Sequence, residues 1–348
     1  MAMKTQLIAP RDIMQDFCPH RNICCLSGAH NRWGTPLPQP RCAPCLNRAN
    51  LVELRLIMHP WLQDATAYIT GGSSGIGLAI AHELRRHGAS LVLIARNRQR
   101  LDEAQRELLT TTAPVSRRAP DSRQPMVDIV VADVTDSRQL QQTLREAVAR
   151  ISPPDILVNC AGMAHPGYFE QLDLHVLHQT MQVNLYGAWS ATQTLLPYLR
   201  QRGGRIVNVA SLAGLIGSFG YSAYAASKFA LVGFSEALRN ELKPDGVSVS
   251  LLCPSDTDTP QLHQENRIKP HETAALSGNG PTLQAGQVAR DFLRGLRRRR
   301  FLIIAGRSAR MVYLIKRLAP SILYRLMDGV VAKSRRRAQT HTALIGEQ

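Results

Sequence analysis

The sequence of 348 residues lacks any long apolar run. A membrane-spanning helix needs roughly 18 or more predominantly apolar residues. The longest candidates, LVLIA at 91–95 and FLIIAG at 301–306, are the length of strands. The first residues also lack the long apolar core of a signal peptide. These absences favour a cytoplasmic protein with no membrane-spanning helix.

Cysteine is scarce beyond the first part of the chain. Five of the seven cysteines precede residue 46, where Cys42 and Cys45 form a CxxC pair with histidines nearby. A structural zinc site needs a second pair of ligands, and the available residues are ill-spaced for one. We therefore predict no metal site and interpret residues 1–63 as an irregular extension. A start of translation at Met58 is an alternative explanation for this segment.

Acidic residues are nearly missing from the C-terminal part. The whole chain has 42 Lys and Arg against 26 Asp and Glu, a net charge of +16, and residues 297–337 hold thirteen of these bases with a single acid, Asp328. Within the predicted tail, 307–348, apolar residues recur at helical spacing on both sides of Pro320. Two basic amphipathic helices are typical of a segment lying on an anionic membrane. Packing against the rest of the chain or against a second subunit is the alternative.

No motif for reading nucleic acid accompanies this positive charge. The tail contains two tyrosines, Tyr313 and Tyr324, but no stacking platform. We therefore predict an acidic lipid surface as partner rather than nucleic acid.

Residues 64–306 alternate between apolar strand-like segments and segments of helical periodicity. This alternation predicts parallel βαβ units, and continuous apolar strands indicate a sheet that is covered on both faces. The predicted fold is α/β, a Rossmann-type doubly wound parallel seven-stranded sheet in a three-layer αβα arrangement. Its strands are expected at 65–70, 90–96, 127–134, 155–162, 204–211, 247–254 and 301–306.

A glycine-rich turn, TGGSSGIG at 70–77, joins the first strand to the first helix. Glycine permits a tight turn and a close approach of a pyrophosphate to backbone N–H groups at the positive end of a helix. The spacing is GxxxGxG, and its strand–turn–helix context predicts nucleotide binding. The candidate residues are Gly71, Ser73, Ser74, Gly75, Ile76 and Gly77.

The second strand lacks an acid at its end. An acid there would hydrogen-bond the ribose hydroxyls of NAD. The chain instead has Ala95-Arg96-Asn97, with Arg100 one turn further on. Guanidinium groups suit a 2′-phosphate, which favours NADPH as cofactor. The alternative is that both arginines are merely solvated at a helix start.

The stretch YSAYAASK at 221–228 places Tyr224 and Lys228 four residues apart. In a helix they share one face, whereas Tyr221 lies a further turn away. A nearby ammonium group favours the phenolate, so we expect Lys228 to lower the pKa of Tyr224. Without other signals, a buried tyrosine beside a solvated lysine would explain the same spacing.

Several motifs occur together in one order: TGGSSGIG, Asp133 after the third strand, NCAG at 159–162, Asn184, Ser211, and Tyr224 with Lys228. This chain resembles the short-chain dehydrogenase/reductase family over residues 64 to about 306. The resemblance implies a homo-oligomeric enzyme.

The resemblance also implies a role for each matched residue. Tyr224 is the general acid, Ser211 hydrogen-bonds the reacting carbonyl, Lys228 holds the nicotinamide ribose, and Asn184 keeps a water in a proton relay. The remaining residues on the cofactor side are Asp133 and Val134 near the adenine, and Asn159, Ala161 and Gly162 along the central strand.

The chain departs from the family pattern after the sixth strand. Pro254 is followed by Ser255, where the family usually has glycine, which puts the loop on the nicotinamide side in doubt. Thr257 and Thr259 remain candidates to contact the cofactor.

The segment CPSDTDTPQLHQENRIKPHET at 253–273 resembles one branch of the family. Members of that branch reduce 3-ketodihydrosphingosine, a long-chain lipid ketone, with NADPH. The alternatives are a reductase of another hydrophobic carbonyl, such as a 3-oxoacyl thioester or a steroid-like ketone, and a non-catalytic NADP-binding membrane adaptor.

Overall fold

A parallel sheet of seven strands organises the chain from Thr66 onward. The computed structural model describes residues 60–110, 125–278 and 282–346, so the predictions for the cysteine-rich start of the chain lie outside the described residues. Its strands are β1 (Thr66–Thr70), β2 (Ser90–Ala95), β3 (Val127–Val131), β4 (Ile156–Asn159), β5 (Arg205–Val209), β6 (Ser248–Cys253) and β9 (Leu302–Ile304). They lie in the sheet in the order β3-β2-β1-β4-β5-β6-β9.

Helices connect the strands and cover both faces of the sheet. Those in the strand-to-strand connections are α1 (Gly75–Arg86), α2 (Arg98–Thr110), α3 (Ser137–Arg150), α4 (Leu174–Met181), α5 (Gly187–Arg202), α6 (Ser222–Leu242), α7 (Pro260–Glu265), α8 (His271–Ser277) and α9 (Ala285–Arg297). Two further helices, α10 (Arg307–Leu318) and α11 (Pro320–Gly346), follow the last strand.

Alternate strand residues enter two separate cores, which makes the three layers. In β1, Ile69 joins a core with α1, α2 and α9, whereas the adjacent Tyr68 joins a core with α3, α5 and α6. Both side chains are fully buried. This alternation follows from the two-residue period of a strand. The predicted three-layer sheet of seven parallel strands is confirmed.

The order of the strands reverses direction between β1 and β4, which pair in parallel with Thr70 opposite Asn159. A crevice opens at such a switch point, outside the carboxyl ends of the strands. The residues that follow β1, β4, β5 and β6 therefore converge at one edge of the sheet.

Two local features were not predicted. A two-stranded pair, β7 (Thr257–Asp258) with β8 (Leu283–Gln284), ties the segment after β6 to the start of α9. A π-helical turn, Gln182–Tyr186, separates α4 from α5. Such turns are rare and often occur at functional sites.

The C-terminal helices pack on the rest of the chain. Pro320 begins α11, as its fixed φ allows at the first position of a helix. The Arg335 guanidinium lies 2.9 Å from the buried carboxylate of Glu272 in α8. Leu323 is also buried. The predicted alternative, packing against the rest of the chain, is therefore present in the structure.

Large apolar side chains nevertheless remain exposed on these two helices. The exposed fraction is 58% for Met311, 76% for Leu318 and 56% for Ile322. In the described part of the chain, no helix is long and apolar enough to cross a membrane.

Candidate active site

Two glycines in the turn between β1 and α1 have no room for a Cβ. Gly71 and Gly75 have positive φ values of 67° and 55°, a region that favours glycine. A Cβ on Gly71 would lie 2.8 Å from the Ala161 nitrogen, and one on Gly77 would lie 2.2 Å from the Gly71 oxygen. The first N–H groups of α1 have no partner within the helix. The turn can therefore bring an anion against backbone donors.

Tyr224, Ser211 and Lys228 meet at the carboxyl end of β5. Ser211 follows this strand and hydrogen-bonds the Tyr224 side chain. Lys228, one turn after Tyr224 in α6, places Nζ 5.7 Å from the centroid of the Tyr224 ring. Its ammonium group donates a hydrogen bond of 2.9 Å to the Val209 carbonyl. The i, i+4 pair predicted from the sequence is thus formed.

Burial shifts the proton affinities of both members of this pair. It lowers the pKa of Lys228 from 10.5 to about 8. It raises the pKa of Tyr224 above its ordinary value, and the hydrogen bond from Ser211 only partly offsets this rise. The predicted lowering of the Tyr224 pKa is therefore wrong, because desolvation of the phenol dominates. Tyr224 is held as a neutral phenol, the form that can donate a proton.

Asn184 lies in the π-helical turn and is fully engaged through its side chain. Its Oδ1 accepts from the Met163 N–H at 2.8 Å, and its Nδ2 donates to the Met163 carbonyl and to Ser227 Oγ. The Asn184 side chain therefore fixes the segment after β4 to α6. It has no spare donor with which to hold a water.

Asn159 ends β4 inside a buried polar chain. Its Nδ2 donates to Thr192 Oγ1 at 3.0 Å and to Asn208 Oδ1 at 2.8 Å, and Asn208 donates in turn to Ser235 Oγ. These bonds join β4 and β5 to the helices α5 and α6. Asn159 therefore holds β4 against β5, whereas Ala161 and Gly162 line the crevice beyond it.

The residues predicted for the adenosine end lie after β2 and β3. Arg96 and Arg100 are exposed there. The Arg96 guanidinium lies 3.6 Å from the carboxylate of Asp133. Partial burial raises the pKa of Asp133, but hydrogen bonds from Thr135 and the charge of Arg96 outweigh it, so the net pKa is lowered. Val134 is buried, and its side chain packs on Gly187.

The loop after β6 tolerates serine in place of the usual glycine. Ser255 does not adopt a positive φ, so its Cβ imposes no backbone strain. Pro254 accepts a hydrogen bond from the Leu212 N–H at 2.8 Å. Thr257 and Thr259 donate their hydroxyls to the carbonyls of Ser255 and Thr257, respectively. Both threonines line the same crevice as the glycine turn.

A cavity of about 540 Å³ joins these pieces. The sequence-predicted residues on its wall are Gly71, Ser74, Gly75, Ile76, Gly77, Ala161, Gly162, Ser211, Tyr224, Lys228, Pro254, Thr257 and Thr259. The other predicted residues, Ser73, Arg96, Arg100, Asp133, Val134, Asn159 and Asn184, lie off this wall.

The sequence analysis missed part of the wall. Two acids, Asp256 and Glu265, line the cavity near Tyr224, although the segment that contains them was singled out. Apolar side chains of α10 and α11 form the far part of the wall: Val312, Leu323, Leu326, Met327 and Val330. Their helical spacing was visible in the sequence, but not which residues faced inward.

The site fits a nicotinamide dinucleotide. Gly71, Gly75 and Gly77 place backbone on the wall of the cavity, next to the N-terminus of α1, where a pyrophosphate can approach N–H groups. On the nicotinamide side, Ser255 Oγ is buried without a hydrogen-bond partner within the described residues. A polar group of the cofactor would satisfy this atom. Fold and site together define an oxidoreductase of the dinucleotide-dependent class.

Comparison with known proteins gives the family. A family model described as short chain dehydrogenase matches residues 65–269. This chain belongs to the short-chain dehydrogenase/reductase family, which confirms the resemblance seen in the sequence.

Comparison with individual proteins indicates which members of the family this chain resembles. The chain is 40% identical over 230 residues to the 3-dehydrosphinganine reductase of Danio rerio, covering 66% of this chain and 67% of that protein. It is 38% identical over 239 residues to the 3-ketodihydrosphingosine reductase of Dictyostelium discoideum, covering 66% and 71%. A crystal structure of a short-chain dehydrogenase/reductase from Burkholderia phymatum in complex with NAD aligns with a TM-score of 0.64 at 23% identity, covering 75% of this chain and 95% of that one. That structural likeness supports the fold.

We expect Gly77→Ala to disrupt the turn, because its Cβ would collide with the Gly71 carbonyl. The free energy of unfolding should fall by about 1–3 kcal/mol, and NADPH binding measured by fluorescence titration should weaken at least tenfold. The matched control is Gly233→Ala in α6, where an added Cβ meets nothing within 4 Å. This control should retain NADPH affinity and gain up to about 1 kcal/mol of stability. Equal NADPH affinity in both variants would contradict the role of the turn.

Proposed function

We propose that this protein reduces 3-ketodihydrosphingosine to dihydrosphingosine with NADPH. One observation carries the proposal: the Tyr224–Ser211 pair opens into a cavity whose far wall is built from apolar side chains of α10 and α11. A polar reacting end followed by a long apolar wall suits a ketone on a long alkyl chain. Relatives named for this reaction support the choice of substrate.

The cofactor would be held along the crevice at the switch point. Backbone N–H groups of the glycine turn receive the pyrophosphate, and Arg96 and Arg100 receive the 2′-phosphate that distinguishes NADPH from NADH. Thr257 and Thr259 already donate their hydroxyl hydrogens to carbonyls, so they serve best as acceptors for the carboxamide N–H₂. When bound, NADPH supplies the hydride.

Tyr224 supplies the proton. Reduction places negative charge on the ketone oxygen, which needs a donor within hydrogen-bond distance. Burial keeps the Tyr224 phenol protonated, and Ser211 offers a second hydrogen bond to the same oxygen. These two hydroxyls orient the carbonyl and stabilise the charge that develops on it.

Lys228 and Asn184 assist proton transfer from Tyr224. Below a pH of about 8 Lys228 carries a charge, which favours loss of the Tyr224 proton at the moment of reaction. Asn184 joins the π-helical turn to the backbone of Met163 through its side chain, so in this proposal a relay water would have to bind a backbone group of the turn instead.

The exposed apolar face of α10 and α11 rests on a membrane surface. Met311, Leu318 and Ile322 point into solvent, while other side chains of the same helices line the cavity. Basic residues on these helices attract anionic lipid, each contributing about 1 kcal/mol near such a surface. This arrangement gives a lipid ketone a direct route from the bilayer to Tyr224. The protein is thereby peripheral at the cytoplasmic face.

Homo-oligomerisation belongs to the same proposal. It rests on the family and on exposed aromatic side chains along α5 and α6, where Trp189 and Phe229 are about half exposed. A second copy of the chain would cover them.

Tyr224→Phe should lower kcat for 3-ketodihydrosphingosine by about 10²–10⁴-fold, the usual contribution of a positioned general acid. NADPH affinity should stay within a few-fold, since the ring is retained. NADPH oxidation at 340 nm measures turnover, with the ketone in mixed micelles and with NADH and a short 3-oxoacyl thioester in parallel. Turnover of the thioester alone would exclude the sphingoid ketone as the substrate, but it would not contradict the role of Tyr224 as proton donor. Undiminished turnover in the variant would refute the chemistry.

Leu318→Ser should weaken binding to phosphatidylserine-containing vesicles about tenfold, because Leu318 loses the apolar area it would bury in the membrane. Co-sedimentation measures this binding. The control is Leu109→Ser in α2, a leucine that is 55% exposed outside the C-terminal helices. If both variants bind as the parent protein does, the C-terminal helices are not the contact with the membrane.

A further inference from the structure

A buried carboxylate sits beside the proposed reaction centre and has no role in the chemistry described above. Glu265 ends α7, is 8% exposed and lines the cavity. The Tyr221 hydroxyl donates to its Oε2 at 2.5 Å, and the Gln261 side chain donates to its Oε1 at 2.8 Å. Both donors are neutral.

Glu265 forms no ion pair in the described part of the chain: no Lys, Arg or His nitrogen lies within 4 Å of its carboxylate. The nearby Lys269 is instead directed at Asp256, with Nζ 3.7 Å from Oδ2. A buried carboxylate is costly unless a cation compensates it. The site is therefore set up to receive a positive charge from a ligand.

The position of Glu265 relative to Tyr224 indicates where the positive charge of a ligand would lie. The rings of Tyr221 and Tyr224 are 5.6 Å apart between centroids, and Tyr221 is the residue that holds Glu265. The charges of Glu265 and Asp256 reach Tyr224, where both help to raise its pKa. The acidic wall thus lies beside the position of the reacting carbonyl.

The proposed substrate carries a cation at this place. In 3-ketodihydrosphingosine, an amino group is attached to the carbon next to the carbonyl carbon. A ketone oxygen held by Tyr224 and Ser211 brings this ammonium group to the acidic side of the cavity. The alkyl chain, on the other side of the carbonyl, extends toward α10 and α11.

We propose that Glu265 binds the ammonium group of the amino ketone, with Tyr221 and Gln261 holding its carboxylate in place. This inference rests on the proposed function and adds a basis for specificity. The enzyme would select a long-chain 2-amino ketone over a neutral ketone of the same length. Tyr221 acquires a role here as a positioning residue.

The test compares two ketones of equal chain length, 3-ketodihydrosphingosine and its analogue without the amino group. Glu265→Gln keeps the size of the side chain and an acceptor for Tyr221, but removes the charge. The ratio of kcat/KM between the amino ketone and the amine-free ketone should fall at least tenfold, as expected for loss of a hydrogen bond to a charged group. The control is Glu241→Gln, an exposed carboxylate in α6, which should leave this ratio unchanged.

A second measurement uses the unaltered protein, so its result does not depend on whether the Glu265→Gln variant folds. Dihydrosphingosine should inhibit at a concentration at least tenfold lower than its N-acetyl derivative, which has no charge. An unchanged ratio in Glu265→Gln, or equal inhibition by both compounds, would overturn the assignment of Glu265. If the unaltered protein reduces only the amine-free ketone, the choice of substrate fails as well. If it reduces neither, the proposed function fails.

Discussion

In the proposed mechanism, the reaction depends on Lys228, an ammonium group that is buried and must nevertheless keep its charge. Lys228 Nζ donates to the Val209 carbonyl at the end of β5, behind Tyr224, and its pKa falls to about 8. Taking an ammonium group out of water is costly, so the surrounding structure must hold it in place. The Val209 carbonyl at the end of β5 does so, and Lys228 reaches it from the second turn of α6. The Asn184 and Asn159 networks then fix the neighbouring strand ends.

The cavity combines two requirements at one edge of the sheet. Near β1 and α1, glycines place backbone on the cavity wall, where a cofactor can reach N–H groups, whereas near α10 and α11 apolar side chains make a wall for a lipid. The same two helices also expose apolar side chains to solvent. The ion pair between Arg335 and Glu272 holds α11 against α8. In the proposed account, binding to the membrane and binding of the substrate use different side chains of one helical pair.

Local patterns predicted the parts of the site that lie within one short segment. The glycine turn at 70–77 and the i, i+4 pair of Tyr224 and Lys228 each follow from spacing within a turn or a helix, and the alternation of strand-like and helical segments predicted the fold. Local patterns could not predict properties that depend on residues far apart in the sequence. The pKa of Tyr224 was predicted in the wrong direction, because its burial depends on the packing of several segments. The inward faces of the C-terminal helices and the burial of Glu265 depend on tertiary packing in the same way.

The most direct test of this account is the pH dependence of kcat/KM for NADPH, with an amine-free long-chain ketone as the second substrate so that no substrate amine titrates. We predict a fall of about tenfold per pH unit as the pH rises above about 8, where Lys228 loses its proton. Unfolding would not explain this fall: between about 8 and 10.5 the unfolded chain binds more protons at Lys228 than the folded one, so this group favours folding more as the pH rises. A profile that stays flat to pH 10 would contradict the central role of the Lys228 charge.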